Sequence, residues 1–100
     1  MKRVAVVTDS SATVPDRLVQ ELGIRVVPQF LIFGGQDYRD GIDISPDTVY
    51  EMLRAGGEIP TSADPSVGDF LRIYAELAES VSAIVSIHMS PFLSSTYSVA

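Results

Sequence analysis

The sequence predicts an open α/β fold, in which helices flank a mostly parallel sheet. Two observations support this prediction. Short runs rich in β-branched residues, at 3–8 and 82–90, are typical of buried strands. Between them lie segments with the helical spacing of apolar residues and with helix start and stop signals. A strand that returns after a helix pairs in parallel with an earlier one, so we expect these two runs to share a sheet.

The first half of the chain is predicted to contain a strand, a helix and a second strand. Residues 3–8 form the first strand, and Pro15 suits the first turn of a helix that stops at Gly23. Residues 24–33 form the second extended segment. Pro28 lies inside it and lacks a backbone donor, so it indicates an edge position or a bulge.

The second half is predicted to contain two helices, a third strand and the start of a fourth helix. A polar hairpin or loop leads to Ser45, which caps the second helix and is followed by proline. The third helix is predicted to begin at Asp64–Pro65, and the third strand follows it at 82–90. Residues 95–100 are typical of an opening helical turn. The sequence shows no repeat or linker, which favours one domain or part of one.

The composition limits the possible partners. The net charge is −6 and the Lys and Arg residues are scattered singly, so we expect no binding to nucleic acid or to anionic membranes. The chain has no Cys and therefore no disulfide or thiolate metal site. No apolar run has the length of a signal-peptide core or a membrane span, which predicts a cytoplasmic protein. Apolar residues make up 46%, a share that suggests a face covered by a partner.

Motifs for cofactors and metal ions are absent from the sequence. Neither of the common glycine-rich nucleotide motifs occurs. The acidic residues Asp37, Asp40, Asp43 and Asp47 lack the spacing of a calcium loop, so turn and cap roles are the favoured interpretation. We expect no cofactor and no metal site.

Asp9 and His88 are the reactive side chains at predicted strand ends. Asp9 has the position of a phosphotransfer carboxylate, but an Asx turn closed by Asp9 and Ser10 is favoured. His88 is the only histidine, and a histidine on an apolar strand is more often packed than catalytic. No Gly-x-Ser-x-Gly motif surrounds a serine. We therefore expect no catalytic residue in the chain.

Hydroxyl side chains are concentrated in two loops at the predicted carboxyl edge of the sheet. Thr61 and Ser62 precede the third helix, and Ser94, Ser95 and Thr96 follow the third strand. Ligands of open α/β sheets bind at this edge, and hydroxyls with free N–H groups suit an anion that is held and not attacked. Helix capping is the alternative for each loop alone. Together the loops predict a ligand with a carboxylate or phosphate head and an apolar body.

Four segments of the chain resemble one known family. They are VTDSSATVP at 7–15, YRDGIDISPDTVYEML at 38–53, PTSADPSVGDF at 60–70 and SIHMSPFLSSTYSVA at 86–100. These segments resemble the N-terminal domain of the DegV family, the bacterial fatty-acid-binding proteins, whose architecture is similar to that of dihydroxyacetone-kinase-like domains. The resemblance implies that residues 1–100 are an N-terminal α/β domain and that a C-terminal domain is absent from this sequence.

The resemblance also implies a ligand and its site. A long-chain fatty acid would lie in an apolar tunnel, with hydroxyls and backbone N–H groups on its carboxylate. Thr61 and Ser94 match the family's carboxylate-binding residues, and Ser62, Ser95 and Thr96 complete the expected site. The family has glycine at the position of Ser95, and its T-S-Q-P-S motif is matched by TSADPS, with one more residue. Members act as carriers without catalysis, and some present the acid to a separate fatty-acid kinase.

Three functions follow as hypotheses. The leading one is a fatty-acid carrier, whose tail site is expected to include Phe30, Ile32, Phe33, Phe92 and Leu93. The alternative is a phosphotransferase-type enzyme of the same fold that acts on a small sugar or triose, with Asp9 or His88 as the reactive group. The third is a fragment without activity of its own, whose apolar surface docks the second domain.

Overall fold

Residues 4–100, the part of the chain that the computed structural model describes, fold into two three-stranded sheets flanked by helices. The first sheet has the order β2-β1-β6 and consists of β1 (Val4–Asp9), β2 (Arg25–Val27) and β6 (Ala83–Ile87). The second has the order β4-β3-β5 and consists of β3 (Phe30–Phe33), β4 (Gln36–Arg39) and β5 (Thr61–Ala63).

The first sheet confirms the predicted α/β fold. Both of its strand pairs are parallel, and β1 and β6 pair along their length, from Val4 with Ala83 to Thr8 with Ile87. Val7 on β1 is fully buried, as expected for the central strand of a covered parallel sheet. Arg3, the predicted first residue of this strand, lies outside the described residues.

The predicted second strand at 24–33 is in fact two strands in different sheets. Pro28 separates β2 from β3 because it has no N–H to continue the parallel ladder. β3 then turns back at Gly34–Gly35 into the antiparallel strand β4, and both glycines have positive φ, of 60° and 73°. β5 pairs with the other edge of β3, within a segment that the sequence predicted only as a connection.

Four α-helices within residues 4–100 complete the fold: α1 (Asp16–Leu22), α2 (Pro46–Arg54), α3 (Val67–Ala78) and the single turn α4 (Thr96–Val99). The Ser45 side chain accepts a hydrogen bond from the N–H of Thr48, as its predicted capping role requires. The predicted start of α3 at Asp64–Pro65 is wrong. The helix begins at Val67, because Ser66 and Asp69 form a reciprocal capping box.

The core lies between the parallel sheet and α3. Its buried members are Val7, Val27, Phe70 and Ile73, against which Tyr74, Leu77, Ile84 and Val99 pack. This packing brings the carboxyl ends of β1 and β6 to the same edge as the first residues of α3 and α4, because α3 runs back along the sheet to start β6. Among the helices of residues 4–100, none has the length and apolar character needed to cross a bilayer.

Candidate functional site

Polar side chains converge where β1 and β6 end. Asp9 is the last residue of β1, and His88 directly follows β6. A few residues further on are Ser94, Ser95 and Thr96, called here the hydroxyl cluster. Strand ends of a parallel sheet form a crevice that no helix covers, so this edge is the expected place for a ligand.

A buried chain of hydrogen bonds begins at Asp9. His88 Nδ1 lies 2.5 Å from Asp9 Oδ2, and His88 Nε2 lies 2.6 Å from Ser86 Oγ. Tyr74 Oη lies 2.8 Å from the same Ser86 hydroxyl. A carboxylate only accepts hydrogen bonds, so His88 Nδ1 carries a proton that it donates to Asp9. The chain thereby joins β1, β6 and α3.

Asp9 is ionised despite its burial. Desolvation by burial would raise the pKa of this carboxyl, but hydrogen bonds from His88 and from the side chain and N–H of Ser11 outweigh it and hold the pKa below its ordinary value. The Ser11 N–H lies 2.9 Å from Asp9 Oδ1 and closes an Asx turn, one residue later than the Ser10 that the sequence indicated. The sequence suggested the turn, whereas the contact with His88 was not predicted.

The hydrogen-bonded residues Asp9, His88 and Ser86 are of the types found in the catalytic triad of a hydrolase, but they are not arranged to meet a substrate. The Asp9 and His88 side chains are each only 1% exposed, so neither presents a reactive atom to solvent. The Ser86 hydroxyl is already bonded to Tyr74 as well as to His88. These contacts support the packed role that the sequence favoured for His88, since they tie the ends of two neighbouring strands together.

The hydroxyl cluster is organised around Thr96 and Asp64. Thr96 Oγ1 donates to Asp64 Oδ1 at 2.7 Å, and the Ser95 hydroxyl donates to the other oxygen of the same carboxylate. Ser94 Oγ donates to Thr96 Oγ1 at 3.1 Å and accepts from the Thr96 N–H at 3.2 Å. The structure therefore joins the three predicted hydroxyls to each other, with a carboxylate from the loop before α3 between two of them.

Gln29 connects the hydroxyl cluster to the end of β1. Its Nε2 donates to Thr96 Oγ1 at 3.3 Å, and its backbone N–H donates to Ser10 Oγ at 3.0 Å. It occupies the break between β2 and β3 that Pro28 creates. Because that break was not predicted, the sequence offered no signal for this contact.

Thr61 and Ser62 are exposed on the edge strand β5. Thr61 pairs with Ile32 and Ser62 with Leu31. Neighbouring side chains of a strand point to opposite faces, so β5 presents only one of the two hydroxyls to a given side. Within the described residues, the side chain of this loop that reaches the hydroxyl cluster is that of Asp64.

A largely apolar cavity of about 520 Å³ adjoins this edge. Its walls come from the end of β1, α1, the β2–β3 break and the loop before α2, and include Val14, Pro15, Val19, Val26, Pro28 and Ile42. Its polar lining includes Asp9, Ser10, Asp16 and Asp40. None of the five residues expected at the tail site lines it: Phe33 is buried against Tyr38, and Phe92 and Leu93 are 96% and 78% exposed.

Asp43 lies in a turn and Asp47 in the first turn of α2, as the sequence favoured, whereas Asp37 lies on the strand β4. Asp43 Oδ2 accepts from the backbone N–H of Arg39 at 2.9 Å and also from its guanidinium. These hydrogen bonds lower the pKa of Asp43 and raise that of Arg39. Within residues 4–100, no three acidic or histidine side chains are close enough together to hold a metal ion.

Three comparisons with known proteins agree. The model of the family described as the uncharacterised protein DegV family matches residues 3–100. Protein DegV of Bacillus subtilis is 35% identical over 97 residues, which are 97% of this chain and 34% of that protein.

Solved structures give the same match. The crystal structure of DegV from Bacillus subtilis, described as a fatty acid binding protein, matches with a TM-score of 0.91 and 34% identity over 100% of this chain and 36% of that one. A DegV family protein from Thermus thermophilus, described by its fatty acid binding, matches with a TM-score of 0.86 and 39% identity over 98% of this chain and 35% of that one. The chain spans about a third of the length of these relatives.

Proposed function

The chain belongs to the DegV family, and from that premise we propose that it binds a long-chain fatty acid as a carrier. The observation that carries the proposal is the hydroxyl cluster at the carboxyl edge of the parallel sheet, an edge that a largely apolar cavity also reaches through Asp9 and Ser10. Hydroxyls hold an anionic head without attacking it, and the cavity offers an apolar wall for a tail. Relatives that are 39% and 34% identical are described as fatty-acid-binding.

The head group is proposed to meet Ser94 and Ser95 from one loop and Thr61 or Ser62 from the other, with Thr96 as the buried support of the first two. Ser95, Thr61 and Ser62 are exposed, so their hydroxyls are the ones that a ligand reaches first. Thr96 is 1% exposed and orients its neighbours. The tail is proposed to follow the 520 Å³ cavity, where each buried CH₂ contributes about 0.8 kcal/mol. Most of the affinity then comes from the tail.

The proposal extends to partners through the family resemblance. A second domain would cover the exposed Phe92 and Leu93, and a separate cytoplasmic fatty-acid kinase would receive the bound acid. The protein itself is proposed to have no catalytic step, which the burial of Asp9 and His88 supports.

The test is lipid extraction from the purified full-length protein, followed by mass spectrometry and by titration with palmitate. We expect co-purifying long-chain acid or saturable uptake of palmitate, weakened by Val19→Asp, which places a charge in the cavity wall. The control is Val85→Asp, because Val85 is 47% exposed on β6 and lies away from the cavity. If the protein neither carries nor takes up a fatty acid, the proposal is wrong.

A further inference from the structure

Thr96 has no hydrogen-bonding capacity left for a ligand. A hydroxyl has one hydrogen to donate and two lone pairs to accept with. The Thr96 hydroxyl donates to Asp64 and accepts from Ser94 and Gln29, at 2.7, 3.1 and 3.3 Å. Its side chain is buried, so these bonds are shielded from water. A head group therefore cannot hydrogen-bond to the Thr96 hydroxyl without breaking an internal bond.

The other two hydroxyl hydrogens are also used inside the protein. Ser94 donates its hydrogen to Thr96, and Ser95 donates its hydrogen to Asp64. A fatty-acid carboxylate can only accept hydrogen bonds at neutral pH. It therefore finds no free hydroxyl donor in the cluster, and a hydrogen bond from any of the three hydroxyls requires it to replace the acceptor that is already there.

Asp64 is the acceptor that a ligand can replace. Its carboxylate receives two of the three hydroxyl hydrogens, from Ser95 and Thr96, and has the same chemistry as the expected head group. Its contact with Ser95 is exposed to solvent, whereas the contact between Thr96 and Ser94 is partly buried. Among the ion pairs of residues 4–100, none involves Asp64, so no internal cation offsets its charge.

We propose that Asp64 is an internal competitor for the ligand's carboxylate and thereby determines which head group the hydroxyl cluster accepts. This inference rests on the proposed fatty-acid-binding function. A second carboxylate beside Asp64 meets like-charge repulsion as well as a lack of donors. A head that carries its own hydrogen, such as an alcohol, donates to Asp64 and leaves the internal bonds intact. Removal of the Asp64 charge is therefore expected to strengthen binding of a carboxylate head relative to binding of an alcohol head.

The experiment compares two probes on the full-length protein at a fixed pH near 8. Dissociation constants for palmitate and for 1-hexadecanol are measured with the wild type, with Asp64→Asn and with Asp64→Ala. Asparagine keeps the size of the side chain and adds an N–H donor, so we expect palmitate to bind about tenfold more tightly. Hexadecanol binding is expected to stay unchanged or weaken. Asp64→Ala removes the acceptor altogether and is expected to shift palmitate in the same direction.

The matched control is Glu79→Gln, which removes one negative charge at the far end of α3. It is expected to leave both dissociation constants at the wild-type values. The inference is overturned if the wild type binds palmitate but neither Asp64 variant binds it more tightly, or if both probes gain equally. If no variant binds palmitate at all, the proposed function itself is overturned. Circular dichroism checks that each variant is folded.

Discussion

Three aspartates of this chain show how the neighbours of a carboxylate determine its role. Asp9 is buried and receives hydrogen bonds from His88 and Ser11, which hold its pKa below the ordinary value in spite of desolvation. Asp43 is exposed and receives the hydrogen bonds of Arg39, which lower its pKa too. Asp64 instead receives hydroxyl hydrogens that a ligand would also need. An aspartate side chain thus links two strands at Asp9, closes a turn at Asp43 and is the proposed competitor for the ligand's carboxylate at Asp64.

The lowered pKa of Asp9 predicts a loss of stability in acid. The unfolded chain binds a proton at Asp9 at a higher pH than the folded protein does, so stability falls as the pH drops from about 4 toward the folded-state pKa. Asp9→Asn should remove this part of the pH dependence and lower the free energy of unfolding by about 1–3 kcal/mol near pH 7. Urea denaturation over a series of pH values measures both effects.

Asp37→Asn is the control for that experiment, because Asp37 is exposed on β4. We expect it to keep the loss of stability in acid, because it leaves the hydrogen bonds of Asp9 in place. An unchanged acid slope in Asp9→Asn would show that another group accounts for the pH dependence.

At the level of elements, local sequence signals determine where helices begin, whereas contacts between distant segments determine which strands pair. Helix ends follow local chemistry, since Ser45 and Ser66 cap α2 and α3 through hydrogen bonds to residues three positions away. Strand pairing depends on distant segments, as in the pairing of β5 with β3. Pro28 affects both the end of a strand and the pairing of the next one. Its missing N–H ends β2, and the chain then crosses to the other sheet.

The capping box predicts the effect of one substitution on α3. Ser66→Ala removes the acceptor for the Asp69 N–H, which lies 3.1 Å from Ser66 Oγ, and should lower the free energy of unfolding by about 1 kcal/mol. Ser80→Ala makes the same change just after the helix, where the side chain is exposed, and should cost less than about 0.5 kcal/mol. Chemical denaturation compares the two variants, and equal losses would contradict a special role for the cap.

At the scale of the whole molecule, the core is small and large apolar side chains remain exposed. Within residues 4–100, the core contains seven buried hydrophobic residues, whereas Phe92 and Leu93 next to the hydroxyl cluster are 96% and 78% exposed. Side chains of this size lose contact with water when a partner covers them, which favours association at this end of the sheet. The exposed pair is therefore where we propose that a second domain packs.

The exposure of this pair predicts that its replacement reduces the apolar surface of the protein and leaves the free energy of unfolding nearly unchanged. Replacement of Phe92 and Leu93 together by serine should reduce the fluorescence of an apolar dye bound to the isolated 100-residue chain. The free energy of unfolding should change by less than about 0.5 kcal/mol, because neither side chain packs in the core. Leu22→Ser, at an exposed position on α1, is the control and should reduce the dye signal less. A large loss of stability in the double variant would contradict the model of an exposed pair.

The sequence predicted the parallel pairing of β1 with β6 and the Ser45 cap at the start of α2. It missed β5, the division of residues 24–33 into two strands, and the contact of Asp64 with the cluster. β5 is only three residues long, so it has too few residues for an alternating pattern to be recognised. Asp64 stands before proline and was interpreted as a helix start, since local preferences do not show which distant hydroxyl a carboxylate meets.

Sequence by itself determined the fold class, most helix positions and the residue types available at the sheet edge. These features depend on capping, periodicity and turn chemistry, all of which act over a few neighbouring residues. Only the tertiary structure decided that Asp9 meets His88, 79 positions away, and that Asp64 meets Thr96, 32 positions away. Such contacts depend on how strands pair and where the chain crosses between sheets, and no local preference encodes that choice.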